Sequence, residues 1–92
     1  MRAHVIERSK SRPGQARCEN PECTDTGYLL DVTPKGETLL EVDHIIGFAE
    51  YGIGDVTNMI ALCSNCHARK TRGARREELA ELFTKYVASL YH

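Results

Sequence analysis

The stretch that decides the fold is residues 58–67, which read NMIALCSNCH. Its first half is a short apolar run that suits a buried strand. Its second half opens a predicted helix at Ser64 and carries Cys63 and Cys66, spaced by two residues. A second cysteine pair, Cys18 and Cys23, lies far upstream. Because a chain of 92 residues buries only a modest core, these cysteines are the first feature to explain.

The two cysteine pairs have loops short enough for four thiolates to bind one tetrahedral Zn²⁺. Four cysteine ligands leave no open coordination position, so the predicted zinc is structural rather than catalytic. Its binding would contribute on the order of 10 kcal/mol to folding. Two disulfides or four free thiols are the alternatives. We expect zinc, because residues 1–13 contain no apolar leader segment, which indicates a cytoplasmic protein with reduced thiols.

The remaining pattern predicts an α+β domain. Residues 28–32 and 37–46 are predicted strands joined as a hairpin by the turn at 33–36, and residues 48–57 are a predicted loop. Helices are predicted from Ser64 to Lys70, ended by Gly73, and over 75–91. In the last helix the apolar residues recur every three or four positions, which predicts a face that packs on the core. These residues are Leu79, Leu82, Phe83, Tyr86, Val87 and Leu90.

Four further residues can converge on one point if the strands and the helix pack together. Asp43-His44 lies in the second predicted strand, Asn58 begins the apolar strand, and His67 follows the last cysteine. Carboxylate and imidazole ligands suit Mn²⁺, Mg²⁺, Ni²⁺ or Zn²⁺, and such an ion can stabilise charge on a phosphodiester. His44 is the candidate base, because an imidazole exchanges protons near neutral pH. Taken singly, each of these residues is more typical of a turn, a cap or a surface pair.

Residues 40–46 and 58–67 together resemble the motif of the HNH endonuclease family. The motif consists of D-H-I, a glycine-containing loop and N-x-x-x-L-C-x-x-C-H, and the resemblance covers residues 18–72. It implies a ββα-metal (His-Me finger) fold, with Asp43 and His67 as metal ligands and His44 as general base. It implies that Asn58 holds the loop and orients His44. It also implies a structural zinc held by Cys18, Cys23, Cys63 and Cys66.

The sequence departs from the family pattern in two places. The first cysteine pair is separated by four residues, where two is commoner, which bears on the loop's shape and not on the ligands. Some members carry a further histidine shortly after the last motif histidine, and residues 68–72 contain none. The catalytic ion would then have two protein ligands, and we expect it to be weakly held and exchangeable.

The charge is unevenly distributed along the chain, although the net charge is -1. Nine acidic residues lie between residues 18 and 58, where Lys35 is the only base, and both ends are basic. An acidic centre between basic ends fits a cation site flanked by phosphate-binding segments. A basic cluster follows His67 and is the candidate phosphate contact, the alternative being a solvated helix end. It consists of Arg69, Lys70, Arg72, Arg75 and Arg76.

The sequence therefore predicts three segments: a loose basic N-terminal arm (1–17) with a short helical turn at residues 3–8, an HNH domain (18–74) and a C-terminal helix (75–92) packed on the same domain. The expected function is a metal-dependent endonuclease that nicks DNA with low intrinsic sequence specificity. Its expected cofactors are a structural Zn²⁺ and a catalytic Mn²⁺, Mg²⁺ or Ni²⁺. We expect a monomer, or a subunit working with a separate specificity protein, and no membrane span. The alternative is a non-catalytic zinc-ribbon-like module that binds DNA or a protein.

Overall fold

The computed structural model describes residues 2–12, 15–23, 32–46 and 56–91. Within these ranges the chain forms three helices, a 3₁₀ turn and two antiparallel two-stranded sheets. The helices are α1 (Arg2–Arg8), α2 (Ser64–Arg72) and α3 (Arg76–Ser89). The strands are β1 (Lys10–Arg12), β2 (Gln15–Ala16), β3 (Glu41–His44) and β4 (Met59–Leu62), and the 3₁₀ turn at Val56–Asn58 leads into β4.

Strands β3 and β4 pair antiparallel and carry the candidate site at one end. Asp43 pairs with Ile60 and His44 pairs with Met59. Three of the four β4 residues are fully buried, as expected for an apolar strand with a sheet neighbour and helices around it. Because the two strands run in opposite directions, the end of β3 meets the start of β4. This brings Asp43 and His44 beside Asn58.

The predicted hairpin between residues 28–32 and 37–46 is only partly observed. Residues 28–31 lie outside the described part of the chain, and Val32 forms an isolated antiparallel bridge with Thr38. How far this pairing continues along residues 37–46 depends on residues 28–31, which lie outside the described residues. On one edge β3 pairs with β4, whose buried backbone N–H and C=O groups need partners.

The N-terminal segment contains the helical turn that the sequence predicts at residues 3–8, but it is not the loose arm expected around that turn. Residues 2–8 form α1, and Val5 on this helix is fully buried in the core. Strands β1 and β2 pair antiparallel after this helix, with Lys10 opposite Ala16. A single buried valine and the half-buried Ile6 are enough to give a short helix one packed face. The segment therefore belongs to the folded body.

Arg8, at the end of α1, forms an ion pair with Glu19 that is nearly inaccessible to solvent. Its Nε and Nη2 atoms donate to the two carboxylate oxygens of Glu19 at 2.8 and 2.7 Å. The same guanidinium donates to the carbonyl oxygens of Val56 and Met59, both at 2.7 Å. Glu19 in turn accepts from the backbone N–H of Ala61 at 2.9 Å. These contacts join α1, the first cysteine loop and the start of β4.

Helix α3 covers the core with the face that its periodicity predicts. Leu79, Phe83 and Val87, at intervals of four residues, are fully buried, and Leu82 and Tyr86 pack partly against them. Leu90, which the pattern assigned to the same face, follows the end of the helix and is exposed. Among the described residues, no helix is both long enough and apolar enough to cross a membrane.

Gly73 ends α2, as the sequence predicts. Its backbone N–H donates to the carbonyl oxygen of Arg69 at 3.0 Å. A Cβ atom at this position would lie 2.4 Å from that oxygen. Only glycine allows this close approach, which lets α3 start three residues later and turn toward the core.

Candidate active site and zinc knot

The four cysteines converge on one point, and we call this cluster the zinc knot. Cys18, Cys23, Cys63 and Cys66 are all buried free thiols, and their sulfur atoms lie within 4.8 Å of one another. The sulfur atoms of Cys23 and Cys63 are 4.0 Å apart. Four sulfurs at the usual Zn–S distance of 2.3 Å form a tetrahedron with edges of about 3.8 Å. The spacing therefore fits a closed structural zinc site rather than disulfides.

The surroundings of the zinc knot favour thiolates bound to a cation. Burial raises the pKa of the Cys66 thiol to about 11, and it raises that of Cys18 as well. Ionised sulfurs at this depth need a compensating positive charge. The Asn20 side chain donates to Cys66 Sγ at 3.3 Å, and the Cys66 backbone N–H points at Cys63 Sγ at 3.5 Å. Both donors stabilise negative charge on sulfur, as in other zinc sites.

Asp43 and His67, the two predicted metal ligands, face each other between β3 and α2. His67 Nε2 lies 3.1 Å from Asp43 Oδ2, and both side chains are about one third exposed. The zinc knot accounts for this placement, since Cys63 and Cys66 fix the first turn of α2 and the next residue is His67. A carboxylate oxygen and an imidazole nitrogen at this separation are the donors that a divalent ion could share.

The opposite ring nitrogen of His67 contacts a residue to which the sequence assigned no role. His67 Nδ1 lies 2.6 Å from Glu41 Oε1, and Glu41 Oε2 accepts from the Ser64 hydroxyl at 3.0 Å. The hydrogen bond with His67 holds the pKa of Glu41 below its usual range. Glu41 stands two residues before Asp43 on β3, so strand alternation puts both carboxylates on one face. The spacing of two residues between Glu41 and Asp43 was the sequence feature that could have identified Glu41 as part of the site.

His44 and Asn58 lie together at the end of the β3–β4 pair. The Nε2 atom of His44 is shielded from solvent. The Asn58 side chain accepts from the Ile46 N–H at 3.1 Å and donates to the Ile46 carbonyl at 3.3 Å, while its own carbonyl accepts from Ile45. Asn58 therefore fixes the backbone that leaves β3 just after His44. The described contacts of Asn58 are with this backbone and not with the imidazole.

Comparison with known proteins fits this geometry. The sequence model of the family described as HNH endonuclease matches residues 17–73, more than half of the chain. The chain belongs to the HNH endonuclease family. This HNH chain is 32% identical over 82 residues to the type IV methyl-directed restriction enzyme EcoKMcrA of Escherichia coli strain K12, covering 89% of the chain and 26% of that enzyme.

A solved structure shows the same fold. The chain superposes on the type IV phosphorothioation-dependent restriction endonuclease ScoMcrA with a TM-score of 0.82 and 39% identity. The match covers 98% of this chain and 17% of that protein. The predicted ββα-metal fold is confirmed, with β3, β4 and α2 as its elements. The chain spans about a quarter of one relative and under a fifth of the other.

Lys70 of this HNH domain lies beside Asp43 and His67, the predicted metal ligands, rather than on an open surface. Its ammonium is 3.0 Å from Asp43 Oδ2, and its side chain is only 12% exposed. Burial opposes ionisation of Asp43, but the hydrogen bond and charge of Lys70 outweigh it and hold the pKa of Asp43 below its usual range. Lys70 follows His67 by three residues, so both project from the same face of α2. A positive charge is therefore already present at the oxygen that would bind the ion.

The predicted phosphate-binding arginines fall into two groups. Arg69 and Arg75 both contact Glu22 in the first cysteine loop, at 3.5 and 3.0 Å, and Arg75 holds the pKa of Glu22 below its usual range. These two arginines therefore join α2 and the start of α3 to the zinc knot. Arg72 and Arg76 are exposed and form no ion pair within the described residues. They are the arginines that this geometry leaves available to a phosphate.

Proposed function

We propose that this chain is a metal-dependent HNH nuclease domain that hydrolyses DNA phosphodiester bonds and cuts one strand at a time. Membership of the family and the restriction-endonuclease relatives support nuclease activity. The observation that carries the proposal is the approach of Asp43 Oδ2 and His67 Nε2 to 3.1 Å beside His44. One such site within the described part of the chain makes a nick the expected product of a monomer.

Asp43 and His67 would hold the divalent ion, for which Mn²⁺, Mg²⁺ and Ni²⁺ are the candidates. When bound, such an ion supplies Lewis-acid stabilisation of charge on the scissile phosphate. With two protein ligands, the site keeps positions for phosphate oxygen and water. Both side chains are partly exposed, so a strand of DNA could reach them.

His44 would take the proton from the attacking water. Its place directly after Asp43 on β3 puts the base next to the residue that would hold the ion. Asn58 would support it by fixing the backbone at Ile45 and Ile46. Removal of this proton by a positioned imidazole, acting as a general base, raises the rate by about 10²–10⁴-fold.

DNA contact would run through charge rather than base recognition. Arg72 and Arg76, both exposed, would contact phosphates and carry no sequence information. Low intrinsic specificity follows, and we propose either a monomer that acts alone or a subunit whose target is selected by a separate specificity protein. The relatives are described as a methyl-directed restriction enzyme and a phosphorothioation-dependent restriction endonuclease, so modified DNA is a substrate to test. Action inside the cell, where the four thiols stay reduced, completes the proposal.

Incubation of zinc-loaded protein with supercoiled plasmid tests this function. The plasmid is supplied unmodified, methylated or phosphorothioated, with Mn²⁺, Mg²⁺ or Ni²⁺ in turn. We expect conversion to open circle that chelation stops. His44→Ala should slow it by about 10²-fold or more, and Asp43→Asn should abolish it.

The matched control is His4→Ala, which removes an exposed histidine from α1 and should leave nicking unchanged. Zinc content and thermal stability of every variant are measured in parallel. The absence of open circle with every metal and every plasmid would contradict the nuclease assignment. It would favour a non-catalytic zinc-binding module that contacts DNA or protein. Normal nicking by His44→Ala would refute the role of His44.

A further inference from the structure

Glu41 and Asp43 bracket the His67 imidazole from the same face of β3. The distances are 2.6 Å from Glu41 Oε1 to Nδ1 and 3.1 Å from Asp43 Oδ2 to Nε2. Each ring nitrogen therefore faces a carboxylate oxygen. A neutral imidazole carries a single N–H, so it can donate to only one of the two.

The ion-binding form of His67 requires its proton on Nδ1. The Nε2 atom must present its lone pair to an ion shared with Asp43, and the 2.6 Å contact places Glu41 to accept a strong hydrogen bond from Nδ1. The lone pair of Nε2 then faces the lone pairs of Asp43 Oδ2. Two electron-rich atoms in this arrangement are favourable only when a cation lies against them, and the Lys70 ammonium already lies 3.0 Å from the same oxygen.

The Glu41 carboxylate is itself held in place. Its second oxygen accepts from the hydroxyl of Ser64 at 3.0 Å. Ser64 and His67 are three residues apart on α2, so both hydrogen bonds of Glu41 are made to one helix face. Since both oxygens are engaged, Glu41 is oriented toward His67 even though its side chain is 43% exposed.

We propose that Glu41 is a positioning residue that keeps the His67 proton on Nδ1 and so aims Nε2 at the ion shared with Asp43. This inference rests on the proposed nuclease function. A carboxylate behind a metal-binding histidine fixes the tautomer and raises the basicity of the ligand nitrogen. Loss of such a partner weakens metal binding by about 10–100-fold.

The first measurement is the affinity of zinc-loaded protein for Mn²⁺, with electron paramagnetic resonance used to detect free and bound Mn²⁺. Glu41→Ala should raise the dissociation constant about 10–100-fold. Glu41→Gln, which keeps an acceptor oxygen but no charge, should give a smaller increase. The matched control is Glu37→Ala, which removes the same charge from an exposed residue in the preceding segment. It should change the affinity less than about 2-fold, because an exposed charge at a distance is screened.

The second measurement is the tautomer of His67, read from nitrogen chemical shifts of ¹⁵N-histidine-labelled protein before Mn²⁺ is added. Wild type should show the proton on Nδ1. Glu41→Ala should shift it toward Nε2, while zinc content and melting temperature stay near those of Glu37→Ala. A purely structural role would lower stability and leave the tautomer unchanged. If Glu41→Ala does not fold, Glu41→Gln carries both measurements.

The two proposals fail differently. The proposed function, and the inference with it, is overturned if zinc-loaded wild-type protein neither binds Mn²⁺ nor nicks DNA. Wild type that binds Mn²⁺ normally, with Glu41→Ala matching Glu37→Ala in affinity, overturns the inference alone. An Nδ1 proton that stays in place in Glu41→Ala also overturns it, whatever the affinity.

Discussion

Replacing Arg8 by methionine should destabilise the domain and disturb the backbone around Asn58. Methionine keeps an apolar chain in place of the arginine stem and removes the guanidinium. The change leaves the Glu19 carboxylate without its ion-pair partner. It also removes the donor to the carbonyls of Val56 and Met59, which lie on either side of Asn58.

The expected cost follows from the burial of the pair. The side chains of Arg8 and Glu19 are 9% and 2% exposed. Removing one partner of a buried pair costs about 3–5 kcal/mol, because the other charge stays buried. A chain of 92 residues has a free energy of unfolding of about 5–14 kcal/mol at 0.05–0.15 kcal/mol per residue. At 4–8 °C per kcal/mol, the melting temperature should fall by more than about 10 °C.

Urea unfolding followed by circular dichroism, with zinc in excess, measures this loss. The control is Lys10→Met, since Lys10 pairs with Glu7 at 2.9 Å on the surface, with the two side chains 30% and 74% exposed. An exposed pair of this kind is worth about 0–1 kcal/mol. Arg8→Met with Glu19→Gln should recover part of the loss, because no buried charge then lacks a partner. If Arg8→Met costs no more than Lys10→Met, the reasoning from burial is wrong.

Three further predictions concern the zinc, the loop and the DNA contact. A strong chelator should release one zinc per chain and unfold the domain, because the zinc contributes on the order of 10 kcal/mol; a native circular dichroism spectrum in metal-free protein would contradict this. Asn58→Ala loses two side-chain hydrogen bonds to Ile46, about 1–3 kcal/mol. The Asn58→Ala variant should lose more in nicking rate than in Mn²⁺ affinity. Equal fold-losses in the two would contradict the proposal that Asn58 acts by holding the backbone at Ile45 and Ile46. Arg72→Gln should lower the salt slope of DNA binding by about 0.9, whereas Arg75→Gln, already paired with two glutamates, should not. Anisotropy titrations over a salt series would show equal slopes if this distinction is wrong.

The sequence was informative wherever chemistry fixes local spacing. Two cysteines separated by two residues are close enough to bind the same zinc ion. Cys63 and Cys66 therefore predict where α2 starts, and His67 is the next residue on that helix. An apolar run of four residues predicts the buried strand β4, and the spacing of Leu79 and Phe83 predicts the packed face of α3. In each case neighbours along the chain determine the outcome, so no knowledge of distant segments is needed.

Tertiary structure decided the contacts between residues far apart in the chain. The pairing of β3 with β4 joins segments that are well apart in the sequence, and the apolar pattern of each strand does not identify its partner. Arg8 reaches Met59 across 51 positions, and no local pattern predicts so distant a contact. The same holds for the pairing of Lys70 with Asp43, which turns a predicted phosphate ligand into a neighbour of the proposed metal site.

The sequence alone therefore predicted which residues would carry the chemistry: the four cysteines, Asp43, His44, Asn58 and His67 were all proposed from spacing and resemblance. Only the folded chain showed how they are held. Glu41 stands behind His67 and Asn58 acts through the backbone at Ile46, because packing β3 against β4 and α2 sets their distances. Residue type fixes what a side chain can do, whereas the neighbours that orient it are supplied by segments that meet only in the folded protein.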